Sequence, residues 1–133
     1  MGSDCTPVRI GIAVVLHAGR VLVGVRGPDG PLPGQAEFPG GKCEPGESAE
    51  NCAVRECQEE TGLGVVVVGL IDEFTWTYPH GTVKLSFLLC KPRQAMDVRN
   101  EQQGFRWEAP AALMEMPFPE ANRGVLERLL TLV

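Results

Sequence analysis

The chain predicts an α/β fold, a mixed β-sheet held between helical layers. Three observations lead there: alternating apolar segments at 8–16 and 82–90 that read as strands, a capped helix over 48–61 between them, and an apolar helical stripe near the C-terminus. At 133 residues the chain fits one domain over 1–133, with residues 1–6 expected to be disordered and given no functional weight.

The elements follow in order. Val8, Ile10, Ile12, Val14 and Leu16 alternate on one face of a first strand, and Gly11 and Ala13 leave room beside the backbone on the other. His17-Ala18-Gly19 reads as a turn into a second strand, Arg20–Arg26, which makes a hairpin. From Gly27 to Gly41 glycine and proline dominate, a long loop of the kind that usually serves function. Ser48–Thr61 is the strongest helix, with Ser48 as N-cap and Gly62 where a left-handed cap belongs. Val65–Tyr78 is extended, Pro79-His80-Gly81 turns, and Thr82–Cys90 returns with Val83, Leu85, Phe87 and Leu89 on one face. Lys91–Gln103 reads as polar loop, Phe105–Glu108 as a short strand, and Ala109–Met114 as a helical turn. Pro119 or Ala121 opens a last helix whose stripe is Val125, Leu126, Leu129, Leu130 and Val133.

Composition narrows the classes. Hydrophobic residues at 44% and charged residues at 22% suit a soluble globular protein. No apolar run reaches the roughly 18 residues of a membrane span, and no basic segment precedes an apolar one, so a cytoplasmic protein without a membrane partner is expected. The five cysteines include no CxxC or Cys/His pairing, which argues against zinc and against a disulfide framework. Cys52 and Cys57 read as small buried residues of the helix. A net charge of −5 disfavours a polynucleotide partner. Its distribution says more: between Gly41 and Leu63, Glu44, Glu47, Glu50, Glu56, Glu59 and Glu60 stand against Lys42 and Arg55, a local balance of −4. Such a patch repels phosphate unless divalent metal lies between them.

On the predicted helix Glu56, Glu59 and Glu60 project within an arc of roughly 100°, and Ala53, Val54 and Cys57 take the opposite side. The plain alternative is a solvated acidic face. The glycine-rich approach argues for a site instead: Gly40-Gly41 can bring a carbonyl close to a cation, and Glu47 can brace Arg55 across the loop-to-helix junction. Hard oxygen donors of this kind suit Mg²⁺ or Mn²⁺ rather than zinc.

The segment from Gly41 to Leu63 matches the Nudix box, Gly-x5-Glu-x7-Arg-Glu-U-x-Glu-Glu-x-Gly-U with U apolar, at every fixed position, with Cys57 at a packing position that is usually aliphatic. The chance of such a match in this chain is on the order of one in a million. The chain therefore resembles the Nudix hydrolases. That resemblance implies an α/β/α sandwich with the box as a loop–helix–loop, and Glu56, Glu59, Glu60 and the Gly40 carbonyl as metal ligands. It also implies Arg55 and Glu47 as the pair that orients them, and Glu101 as a further acid brought to the metals, or else an exposed loop residue. The expected reaction uses Mg²⁺, with Mn²⁺ able to substitute. Glu56 is the first candidate for general base and Glu101 the second.

Outside the box the resemblance is closest to MutT-type nucleoside triphosphate pyrophosphohydrolases, over 37–42, 79–89, 101–107 and 118–122. It implies a nucleotide substrate cleaved to monophosphate and pyrophosphate, oxidised guanine nucleotides such as 8-oxo-dGTP included, and hence a link to DNA repair. Asn122 takes the place of a base-reading asparagine, whose amide offers donor and acceptor together; otherwise it is an ordinary residue at a helix start. Phe38 is a candidate to stack on a base or else a core residue, and Arg26 a candidate for base or sugar or else a solvated strand end. His80-Gly81 departs from the MutT pattern, leaving His80 as a base contact or an exposed turn residue and CTP or dCTP as open substrates. Hydrolysis of ADP-ribose or another nucleoside diphosphate derivative is the alternative reaction, and a non-catalytic nucleotide sensor the alternative class. A monomer is expected, with a homodimer the other possibility.

Overall fold

The computed structural model describes residues 7–29, 33–79 and 81–132. Residues 1–6, the His80 position of the second predicted turn and the Val133 end of the last helical stripe therefore lie outside the described residues.

Strand β1 (Val8–His17) is the axis of the sheet. It runs parallel to β6 (Gly81–Pro92), from Val8 opposite Val83 to Val15 opposite Cys90. β6 in turn pairs antiparallel with the long edge strand β5 (Val65–Tyr78). On its other side β1 changes partner along its length. Ile10–Ile12 pairs with β4 (Gly40–Lys42), whereas Leu16 and His17 pair with β2 (Arg20–Val25) through a two-residue turn, Ala18-Gly19, both at positive φ. β8 (Phe105–Glu108) and β7 (Glu101–Gln102) extend the β2 edge, and β3 (Ala36–Glu37) pairs with β2. The mixed sheet expected from the alternating segments is thus present.

Each face of the sheet buries its own layer. Helix α1 (Ala49–Thr61) covers one side, where Cys52 is buried against Gly11 and Ala53 and Cys57 are buried and pack with Ala13, Val15, Leu22, Leu88 and Phe105. Helices α2 (Pro110–Leu113) and α3 (Arg123–Leu132) cover the other, placing Leu113, Val125, Leu126 and Leu129 against Val14, Val23, Leu85 and Phe87. This double burial explains the apolar run in the middle of β1, where Ala13, Val14 and Val15 are buried on both faces.

Five expectations need correction. The stretch 27–41 is not wholly loop: β3 and β4 lie within it, because their ordering comes from backbone pairing, which side-chain alternation does not reveal. Similarly β6 reaches Pro92, and a single 3-10 turn (Ala95–Asp97) and β7 occupy the predicted loop 91–103. The second strand ends at Val25, one residue before Arg26, and the last helix begins with a 3-10 turn, Glu120–Asn122, before α3. Leu130 lies off the buried stripe, 42% exposed, as its neighbour Leu129 takes the core position.

Gly11 is where β1 lets α1 approach. A Cβ there would sit 2.8 Å from the Ala49 carbonyl oxygen and from Cys52 Cβ. Gly11→Ala is expected to push the start of α1 off the sheet and destabilise the protein by about 1–3 kcal/mol. Thermal denaturation followed by circular dichroism should show the midpoint falling by about 5–10 °C, and an unchanged midpoint would refute this packing.

Candidate active site

Helix α1 begins where Ser48 Oγ accepts the Asn51 N–H at 3.0 Å and ends at Gly62, whose φ of 76° suits a residue without Cβ. Between these caps Arg55 organises the polar face. Its Nε and Nη2 donate to the two oxygens of Glu47 at 2.8 and 2.9 Å, a bidentate fork across the loop-to-helix junction. Nη2 also donates to the Lys42 carbonyl at 3.1 Å, and Nη1 reaches Glu56 at 3.0 Å and both oxygens of Glu59 at 3.3 Å. Glu47 itself accepts the Glu44 N–H at 2.9 Å, closing the loop on itself. The Arg55 guanidinium, helped by the Glu44 N–H, holds the Glu47 carboxyl down at about 2, and Glu47 raises the Arg55 pKa in return.

Glu60 is in a different setting. Its Oε1 accepts the Gly40 N–H at 3.1 Å, and burial pushes its carboxyl up to about 7; the Gly40 bond opposes this, while the Glu56 and Glu37 charges add to it. Gly41 comes so close to Glu56 that a Cβ would lie 2.5 Å from its carboxyl carbon. The strand β4 is therefore pressed onto the acidic face, and a side chain at position 41 would displace the Glu56 carboxylate.

Beside Glu60 a cleft of about 580 Å³ opens, within the range of small-molecule sites. Ile10, Ile12, Val83 and Leu85 supply apolar wall, and Arg26, Glu37, Lys42, Glu60 and Asn122 supply polar groups. Glu56, Glu59 and Glu60 offer the hard oxygen donors that Mg²⁺ or Mn²⁺ takes, so their chemistry fits a divalent cation. Among the described residues no three acidic, histidine or cysteine side chains converge on a common point, as Arg55 holds Glu56 and Glu59 while Glu60 turns to Gly40.

The fold brings most of the sequence candidates together. Glu47, Arg55, Glu56 and Glu59 share one hydrogen-bonded cluster, and Gly40 and Glu60 link it to the cleft, which Arg26, Phe38 and Asn122 also border. Phe38 is only 5% exposed and packs against Phe118 and Phe87, so most of its ring belongs to the core. Glu101 is exposed on β7 opposite Arg106 and is absent from the cleft wall, although Gln102 beside it donates to the Thr61 carbonyl at 3.2 Å and ties β7 to the end of α1. Glu37 went unrecognised in the sequence. It lies 3.6 Å from Arg26 Nε, and burial raises its carboxyl pKa against the pull of Arg26. Its signal was the strand pairing of 36–37, hidden in a glycine-rich stretch. Cys52, Cys57 and Cys90 are buried thiols pushed up to about 12, 11 and 12, which suits packing rather than nucleophilic work.

Comparison with known proteins agrees with this geometry. The family model of the NUDIX domain matches residues 6–129. The 8-oxo-dGTP diphosphatase of Escherichia coli strain K12 is 31% identical over 109 residues, which cover 82% of this chain and 84% of that protein. The CTP pyrophosphohydrolase of the same organism is 26% identical over 139 residues, covering 94% and 93%. In fold, the solution structure of the E. coli ORF135 protein superposes with a TM-score of 0.76 at 23% identity over 97% of this chain and 92% of that one.

The Glu60 shift has a sign that can be checked. Its folded pKa of about 7 lies above the ordinary 4.5, so its contribution to stability is complete below about 4.5 and is lost as pH rises through about 7. Without divalent cation, urea denaturation from pH 4.5 to 8 should show Glu60→Gln removing a fall of about 1–2 kcal/mol, the full shift being discounted for the solvent that reaches this half-buried group. A variant with the same pH slope as the native chain would contradict the assignment.

Proposed function

The chain belongs to the NUDIX family, matched over residues 6–129, and from that premise we propose that it hydrolyses the α–β anhydride of a nucleoside or deoxynucleoside triphosphate, releasing the monophosphate and pyrophosphate. Guanine nucleotides, 8-oxo-dGTP among them, are the proposed substrates. The observation behind this reading is the position of Glu60, which joins the Arg55-ordered acidic face to a nucleotide-sized cleft carrying Arg26 and Asn122. The similarity to the 8-oxo-dGTP diphosphatase supports the choice of base. CTP is the second reading, supported by the similarity to the CTP pyrophosphohydrolase along nearly the whole chain.

In this proposal Glu56, Glu59, Glu60 and the Gly40 carbonyl hold the divalent cation, taken to be Mg²⁺ with Mn²⁺ able to replace it, and Glu101 is a further carboxylate for it. Bound there, the cation supplies positive charge to the phosphates and to the leaving pyrophosphate. The protein supplies the rest. Arg55, held by Glu47, tethers Glu56 and Glu59 at the loop-to-helix junction and gives them a counter-charge beside the cleft. Glu56 accepts the proton of the attacking water. Arg26, Phe38, Asn122 and His80 are the proposed contacts to base and sugar, and the apolar wall keeps bulk water away from the base. Among the described residues no helix is long and apolar enough to cross a membrane, and a cytoplasmic monomer acting on free nucleotides is the proposed setting.

The reaction is tested by offering 8-oxo-dGTP, dGTP, dCTP, CTP and ADP-ribose with Mg²⁺ and measuring pyrophosphate against orthophosphate. Pyrophosphate from a guanine nucleotide with the highest kcat/KM is the expected result; fastest turnover of ADP-ribose would refute the substrate class. Glu56→Gln should lower kcat about a hundredfold or more at saturating Mg²⁺. A kcat near the native value would remove Glu56 as the base. Arg55→Lys, which cannot span both Glu47 oxygens and still reach Glu56 and Glu59, should weaken Mn²⁺ uptake about 10–100-fold by titration. An unaltered titration would mean that the fork does not order the ligands.

A further inference from the structure

Two charged side chains in the cleft are left incompletely bonded. The pairing of β3 with β2 sets Glu37 opposite Gly24, and the Arg26 N–H donates to the Gln35 carbonyl at 2.8 Å, so both backbones are fixed. Their side chains nevertheless stop short of a hydrogen bond, with Arg26 Nε 3.6 Å from Glu37 Oε1. Arg26 Nε is shut off from solvent and has no hydrogen-bond partner among the described residues. A buried N–H left in this way is costly and calls for an explanation. A ligand that offered one acceptor to Arg26 and adjacent donors to Glu37 would complete both groups at once.

The surrounding wall restricts what that ligand is. Ile10, Ile12, Val83 and Leu85 give the cleft an apolar wall, against which a ring can lie. Guanine presents N1–H and the 2-amino group side by side, matching the two oxygens of a carboxylate, with the O6 acceptor next to them. Where guanine has its two donors, adenine has an acceptor at N1 and only a C–H at C2, and cytosine has acceptors at N3 and O2. Oxidation at C8 leaves this edge unchanged.

We propose that Glu37 determines base specificity by accepting the N1–H and 2-amino donors of guanine, while Arg26 Nε gains its missing acceptor from O6. This rests on the cleft being the nucleotide site of the function proposed above, and it assigns the Watson–Crick edge of the base to a residue pair that takes no part in the phosphate chemistry.

The test compares dGTP with dITP, which lacks only the 2-amino group. The native chain should turn over dITP with kcat/KM at least about tenfold lower, because Glu37 then keeps an unpaired oxygen. Glu37→Gln turns an amide donor toward a base donor, and should bring dGTP to within about twofold of dITP; Glu37→Asp, which withdraws the carboxylate by one methylene, should do the same and stands in if the glutamine variant fails to fold. Calorimetric titration with dGMP and dIMP reads the same discrimination without turnover. The proposal is overturned if the native chain treats the two bases alike, or if the variants lower both in equal proportion, as a residue that merely props Arg26 would. Discrimination in binding without hydrolysis of any triphosphate would overturn the proposed reaction and still support Glu37 as the reader of the base.

Discussion

The site depends on a single fork, Arg55 on Glu47. An isolated exposed ion pair contributes little, from nothing to about 1 kcal/mol. Here the guanidinium is three-quarters covered and meets Glu47 through two bonds, and its remaining donors go to the Lys42 carbonyl, Glu56 and Glu59. Each of those partners is already anchored: Lys42 by its pairing with Ile10, the two glutamates by the helix. The side-chain entropy of Arg55 is therefore lost once and shared by several bonds. Without it Glu56 and Glu59 would lose their shared counter-charge, and β4 would lose one of its ties to the helix, beside the Gly40 bond to Glu60 and the Cys52 thiol on the Gly41 carbonyl.

A second constraint is the way β1 divides its partners. It pairs with β4 near its start and with β2 near its end, and Arg26, Ala36, Glu37 and Phe38, from the chain that joins those two neighbours, line the cleft. Helix α1 lies on the opposite face of the sheet from α2 and α3, yet Glu60 reaches the cleft through its bond to Gly40. Two functions thus meet at β4. One side carries the ordered carboxylates, and the other carries the apolar wall of the cleft. Glycine at 40 and 41 is what allows the approach, since a Cβ at Gly41 would overlap Glu56 and one at Gly40 would lie 2.7 Å from the Gly11 carbonyl oxygen.

The electrostatics of the two sides are opposed. On the helix, Glu47 is held far below the usual carboxylate range by Arg55, so that part of the network keeps its charge throughout the neutral range. At the cleft, burial raises Glu37 and Glu60, whose charges are only partly answered by Arg26 and by the Gly40 N–H. Groups left under-compensated in this manner are places where a bound cation or base lowers the free energy most.

Local patterns in the chain determined the helix, its caps, the Glu47–Arg55 junction and the acidic face. The helix, its caps and the acidic face rest on i to i+4 spacing or on short-range capping, and Ser48 and Gly62 stand where those rules put them, whereas the Glu47–Arg55 pair, eight residues apart, was carried by the box motif. The apolar alternation of β1 and β6 was equally legible, since burial imposes it. What the tertiary structure alone decided was the cleft. Strands β3 and β4 are held by backbone bonds to partners some ten to thirty residues away in sequence, and such bonds leave no signature in side-chain type. The pairing of Glu37 with Arg26 and the burial that raises Glu60 follow from that long-range pairing, and the position of Glu101 away from the cleft wall follows from the β7–β8 pairing, tied to the end of α1 through Gln102. They became visible only once the strands were side by side.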